Sequence, residues 1–321
     1  MASLGLSGVA TPFANAEECK PLRRYAQIPF QQDDTNHIHL PVTLGGVQSK
    51  MMLDTGAYWS IVRKDIASQL GLQPRRNYNL IMFDSGGNRI DESVMISEFR
   101  LGQLSFGAAE FFVSGIWSGA PLDERAGVIG QNLLTQLHLE IDNAGKTISL
   151  FSQDHCAGDG VYWADEAVIL KYERSNARSK PTGSRLKRDI DKNQIDEPIV
   201  TAELAGKPVR LLFDTGATFT SMDLEHARRV FGITKDTPGV QPAGSVNVGS
   251  GARIGTYRYV FPELTISGIR FENVPVLLGD FDGSVQVILG MNEMKKLRLF
   301  FAFKEGAIYV TAADARRSAP N

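Results

Sequence analysis

Residues 211–222 read LLFDTGATFTSM, and residues 51–62 read MMLDTGAYWSIV. In each, large apolar residues lead into an ionisable aspartate, Asp214 or Asp54, at the close of what reads as a buried strand. A carboxylate in that setting is costly unless a partner or a reaction uses it. One Asp-Thr-Gly would mean little, because Asp, Thr and Gly are ordinary turn residues. Two copies require a common explanation.

The copies belong to an internal repeat. An offset of 160 residues aligns LGGVQSKMMLDTGAYWSIV (44–62) with LAGKPVRLLFDTGATFTSM (204–222) without a gap, six of the 19 positions being identical. The same offset lays GVIGQNLLTQLHL (127–139) on VILGMNEMKKLRL (287–299), so each Asp lies 76 residues before its partner glycine, 54 before 130 and 214 before 290. Each half then reads alike. A strand enters the Asp-Thr-Gly turn, a short helix follows (RKDIASQLG or DLEHARRVFG), and next comes a hairpin with a glycine-rich tip. Further strands lead to the apolar-apolar-Gly element, a second short helix and a last strand. The fold class is all-β with minor helix, in two similar β lobes related by a pseudo-two-fold, with an active site at their interface. The boundaries are 17–156 and 157–316.

Composition narrows the function. The 321 residues are 43% hydrophobic with a formal net charge of -2, which gives no reason to expect nucleic acid as a partner. No apolar run reaches the roughly 18 residues that cross a bilayer. Residues 1–16 carry no charge and end in Ala14-Asn15-Ala16, a small-x-small site, so they read as a signal-peptide remnant or a disordered N-terminus. The two cysteines, Cys19 and Cys156, bracket the first half, as a disulfide made in an oxidising compartment would. The localisation expected is periplasmic or secreted. Residues 171–193, KYERSNARSKPTGSRLKRDIDKN, break the symmetry and read as a basic loop inserted in the second lobe.

Symmetry would bring the two aspartate loops together. Two adjacent carboxylates cannot both ionise cheaply, so they share a proton and their pKa values separate. One can then activate water while the other protonates a carbonyl oxygen. Gly56 and Gly216 allow tight turns that aim amides at the carboxylates. The hydroxyls of Thr55 and Thr215 can brace the opposite loop. The hairpin tips, Ser85-Gly86-Gly87 and Gly249-Ser250-Gly251, can close as flaps over an extended peptide.

These motifs resemble the retropepsin-type aspartic proteases, in a fused single-chain form similar to exported bacterial members. VIGQNLLTQL is similar to the corresponding retroviral segment almost letter for letter. The resemblance implies two retropepsin-like β-barrel lobes and Asp54 and Asp214 as the catalytic pair. It also implies Val128 and Ile288 as pocket walls beside the scissile bond, and a monomer acting as an internal dimer on a polypeptide substrate. The chain departs from the viral pattern where an Asp–Arg ion pair would stand, with Tyr58 and Gln131 in one half and Thr218 and Met291 in the other. Ala57 and Ala217 replace the hydroxyl residue usual in pepsin-type enzymes. Without that donor to the carboxylate, an optimum in mild acid is expected.

No cofactor and no metal are expected. His37 and His39 alternate along a strand and are expected at solvent. In Asp154-His155-Cys156 the cysteine is better used in a disulfide, and His226 sits in a polar helix. Tyr58, Trp59 and Phe219 are expected to pack in the core. The rival readings are a peptide-binding or sensing protein that keeps the cleft without cutting, and a hydrolase of some non-peptide bond.

Overall fold

The computed structural model describes residues 19–78, 80, 82–83, 89–115, 125–156, 158–173, 197–248, 252–281 and 286–317. The segment 1–16, most of the inserted loop, and all six hairpin-tip residues, Ser85, Gly86, Gly87, Gly249, Ser250 and Gly251, lie outside them.

Each half closes a six-stranded barrel. In the first, the order is Ile38–Leu44, Val47–Leu53, Gly127–Ile129, Ile61–Arg63, Leu104–Ser114 and Glu92–Leu101. The last strand pairs back onto the first through Val42 and Leu101. In the second, the order is Ile199–Leu204, Lys207–Phe213, Val287–Leu289, Ser221–Asp223, Ile269–Gly279 and Ala252–Ile266, closed by Leu204 against Leu264. Closure leaves these strands no free edge. The strands entering the Asp loops share one pattern, with two exposed residues at the start and three buried ones at the end. Short helices, Lys64–Gln69 and Leu224–Phe231, follow each loop, and Gln131–Leu134 and Met291–Met294 follow the later glycines.

A third sheet joins the halves. Its order is Arg24–Pro29, Thr147–Phe151, His138–Asp142, Leu297–Ala302, Ala307–Ala312 and Val168–Lys171. At its centre the halves meet antiparallel, with Glu140 opposite Phe300. Those two positions are repeat equivalents, so the pseudo-two-fold passes between them, as a self-complementary contact requires. Arg298 donates to buried Glu140 at 2.8 Å, giving that charge a partner across the halves.

Cys19 and Cys156 form a disulfide, tethering the start of the described chain to the end of the first half. Closing a loop of this length is worth about 5 kcal/mol in the chain-entropy account. Among the described residues no helix is long and apolar enough to cross a membrane.

Two expectations about individual side chains are corrected, one for the His37–His39 pair and one for Phe219. His39 is buried and His37 nearly so, because Asp33 accepts from His39 at 2.9 Å and from Arg125 at 2.7 Å, forming an ion cluster rather than a solvated face. Burial opposes ionisation of Asp33, but hydrogen bonds from Thr35, His39 and the His37 amide outweigh it and hold the carboxyl well below the usual range. His226 is also buried, on the inner side of its helix. Phe219 is 46% exposed, whereas Tyr58 and Trp59 pack against Leu80, Met82, Ile90 and Phe112.

Candidate active site

Asp54 and Asp214 sit where the two barrels face one another. Each ends a strand whose parallel neighbour carries the apolar-apolar-Gly element, so Asp54 N–H donates to Ile129 O at 3.1 Å and Asp214 N–H to Leu289 O at 3.2 Å. Those bonds pin the chain just as it leaves the sheet. The following glycines do not supply a left-handed turn, since neither Gly56 nor Gly216 has positive φ. What they supply is space. A Cβ built on Gly56 would lie 2.4 Å from Asp214 Cγ, and one on Gly216 would lie 2.5 Å from Asp54 Cγ. Each loop is thus pressed against the other loop's carboxylate.

The threonines set that approach. Thr55 Oγ1 donates to Phe213 O at 2.7 Å and accepts from Thr215 N–H at 3.0 Å. Thr215 Oγ1 donates to Leu53 O at 2.8 Å and accepts from Thr55 N–H at 3.0 Å. Both side chains are fully buried, so these four bonds form in a low-dielectric setting where leaving them unmade is expensive. The brace expected from sequence is present, and it runs through the opposing backbone.

Backbone amides converge on the carboxylates. Asp54 Oδ1 accepts from Gly56 N–H at 3.0 Å and Ala57 N–H at 2.8 Å, and Asp214 Oδ1 accepts from Gly216 N–H at 2.8 Å. Both aspartates keep intermediate exposure, yet protein surrounds them closely enough for burial to be the leading influence. Burial, and then the neighbouring Asp214 charge, push the Asp54 carboxyl far above its usual range. Burial raises Asp214 as well, but the amides, Asp54 and the charge of His37 pull it back. The two carboxyls are thus both raised, Asp54 the more, and they titrate as a pair.

The later glycines complete the frame. Gly130 and Gly290 have extended backbones and are needed for contact. A Cβ there would meet Trp59 C at 2.6 Å or Phe219 C at 2.4 Å. Behind the first loop, Gln131 Nε2 donates to Thr55 O at 2.6 Å, and Ser60 Oγ donates to Asn132 Oδ1 at 2.8 Å. In the second, Met291 is apolar and Thr220 bonds Glu293 instead. The positions that depart from the viral pattern thus serve as packing and hydrogen-bonding supports.

Val128 is 2% exposed, paired with Met52 and Ile61, while Ile288 is more open and packs on Ile199 and Leu212. Two features were not legible in the sequence. His37 Nε2 lies 3.1 Å from Thr218 Oγ1, beside the second Asp loop, and His138, His155 and Glu305 gather beside the joining sheet. Neither group is contiguous in the chain, and no spacing rule connects its members.

Residues 200–292 match a family model described as "Aspartyl protease", and residues 40–136 match one described as "gag-polyprotein putative aspartyl protease". No curated protein sequence gives a match. Among solved structures, the aspartic proteinase from Irpex lacteus superposes with a TM-score of 0.53 at 11% identity, over 90% of this chain and 97% of that one. The retropepsin-like aspartic protease from Rickettsia conorii gives a TM-score of 0.29 at 18% identity, over 41% of this chain and 93% of that one.

Proposed function

Because each of its halves matches an aspartyl-protease family model, we propose that the chain is an endopeptidase in which Asp54 and Asp214 together activate a water molecule. The observation that carries this reading is the mutual contact of the two loops, each glycine lying against the opposite carboxylate. It supports a reaction needing two acids in one place, one charged and one protonated.

In the proposed step, ionised Asp214 takes a proton from the water as its oxygen attacks the scissile carbonyl carbon. Protonated Asp54 gives its proton to the carbonyl oxygen, leaving a neutral tetrahedral diol. Asp214 then gives its proton to the amide nitrogen while Asp54 takes one from a diol hydroxyl, so the C–N bond breaks, releasing an amine and a carboxylic acid. The protons balance within the pair. Thr55 and Thr215 hold the acids in register, Gly56 and Gly216 leave room for the approach, and Ala57 and Ala217 add no hydroxyl that would favour ionisation.

The substrate is an extended polypeptide with apolar side chains at the cut, received between the barrels against Val128 and Ile288. The arms Gln241–Val248 and Ala252–Ile266 carry the second glycine-rich tip, and both tips act as flaps. The enzyme works as an exported monomer, its disulfide suited to an oxidising compartment. Peptide-library cleavage from pH 3 to 7 by mass spectrometry, with wild type beside Asp54→Asn, tests the reading. Cutting by wild type alone supports it. A folded wild type that binds peptides without cutting them would overturn it.

A further inference from the structure

Beside the six-stranded joining sheet, His138 and His155 come from the first half and Glu305 from the second, and we propose that they form a zinc site clasping the halves together. One ligand atom from each lies within 4.8 Å of the other two. His155 Nε2 and Glu305 Oε1 are 3.8 Å apart, too far for a hydrogen bond. A tetrahedral zinc with Zn–N and Zn–O near 2.1 Å sets its ligands about 3.4 Å apart, so a small closure would seat the ion.

Unpaired atoms carry the argument. Both ring nitrogens of His138, Nε2 of His155 and Oε1 of Glu305 are buried without a hydrogen-bond partner. Buried polar atoms are nearly always paired, and three of these, one from each residue, converge on one space that needs an occupant. The outer atoms of His155 and Glu305 are already engaged. His155 Nδ1–H donates to Cys156 O at 2.7 Å, which leaves Nε2 as a lone pair facing inward. Tyr309 Oη donates to Glu305 Oε2 at 2.5 Å and holds that carboxylate. Such second contacts are what orients imidazole and carboxylate ligands on a metal.

The chemistry selects zinc-like ions. Two neutral imidazoles and one carboxylate suit a borderline cation, and calcium or magnesium would want more oxygen. Phe300 packs against both imidazoles and dries the site on one side. With Cys19–Cys156 adjoining His155, the ion would fasten the disulfide-tethered end of the first half to the turn Phe303–Glu305 of the second.

The test uses the full chain with its disulfide intact, stripped with EDTA and dialysed. Calorimetric titration with zinc chloride at pH 7 should show one equivalent at micromolar affinity or better. Cobalt(II) in its place should give the visible bands of a four-coordinate site. Zinc should raise Tm, and EDTA should reverse the rise. His138→Phe, which keeps aromatic volume beside Phe300, and Glu305→Gln should each weaken zinc binding about 100-fold or more and abolish the Tm response. If His138→Phe does not fold, Glu305→Gln carries the test. Absence of binding in wild type would overturn the proposal. So would undiminished binding in the folded variants, which would put the ion on other donors such as His37 and His39.

Discussion

The first and second Asp-Thr-Gly-Ala loops hold each other by the same pairs of hydrogen bonds, yet they sit in unlike electrostatic surroundings. Beside the second loop stands His37, in contact with Thr218. The repeat-equivalent position beside the first loop is Glu197, whose charge acts on Tyr58 and, after burial, helps push that phenol up to about 12. An imidazole whose ionisation burial disfavours thus flanks Asp214, and an anion flanks the loop of Asp54. Behind the loops the asymmetry continues, with Gln131 donating to Thr55 O and apolar Met291 in the matching place. Symmetry brings two identical acids together, and their unlike neighbours raise their carboxyls unequally. A strict homodimer has no fixed way to do this, whereas a fused chain can vary its halves independently.

The comparison breaks first at the aspartates. Asp54→Asn and Asp214→Asn should each lower kcat by about a thousandfold or more with the fold intact by circular dichroism, since either loss removes one of the two proton carriers. Substantial turnover in either variant would show that the loops are not joint partners. Gly56→Ala and Gly216→Ala come next. The added methyl would lie 2.4 to 2.7 Å from the opposite carboxylate, and kcat should fall about a hundredfold in each. Unequal losses would show that one loop yields more easily.

Thr55→Val and Thr215→Val should each cost about 2–4 kcal/mol in urea unfolding, because a buried carbonyl and a buried amide lose their partner together. Equal costs would support the symmetric brace. Gln131→Met, which gives the first loop the residue of the second, should cost about 1 kcal/mol. A variant as stable as wild type would mean that the Gln131 bond adds nothing.

The smallest effect concerns pH. Both carboxyls are raised, so the acid limb of the rate profile, where Asp214 becomes protonated, should lie in mild acid. A rate still climbing toward pH 2 would refute this. A charged His37 favours ionised Asp214, so His37→Asn should move the acid limb upward by less than about one pH unit. A downward shift would remove His37 from the account. Stability runs the other way at Asp33, whose carboxyl is depressed by its partners. The contribution of that group is present above its unfolded pKa and is lost as pH falls, so Asp33→Asn should destabilise more at pH 6 than at pH 3.

Much of the site was legible in the chain. The paired Asp-Thr-Gly-Ala, the constant spacing to Gly130 and Gly290, and the two bracketing cysteines are local signals or simple repeats, and each pattern survives being read along a line. The role of Gly56 and Gly216 was only half legible. Their amides do face the carboxylates, but the need for glycine comes from a carboxylate 160 residues away. His37 and His39 read as a solvent-facing pair because alternation shows which residues share a face and not what covers that face. Asp33 and Arg125 cover it.

Residue order alone therefore settles that there are two like halves, that each ends a strand on an aspartate, and that the chain is β-rich, because apolar periodicity, turn residues and repeats act over short separations. Folding in three dimensions settles the rest. It places Glu140 opposite Phe300, His37 beside Thr218, and Glu305 beside His138 and His155. Charge, burial and ligand geometry depend on distance in space, and those distances exist only once the barrels have closed and the joining sheet has formed.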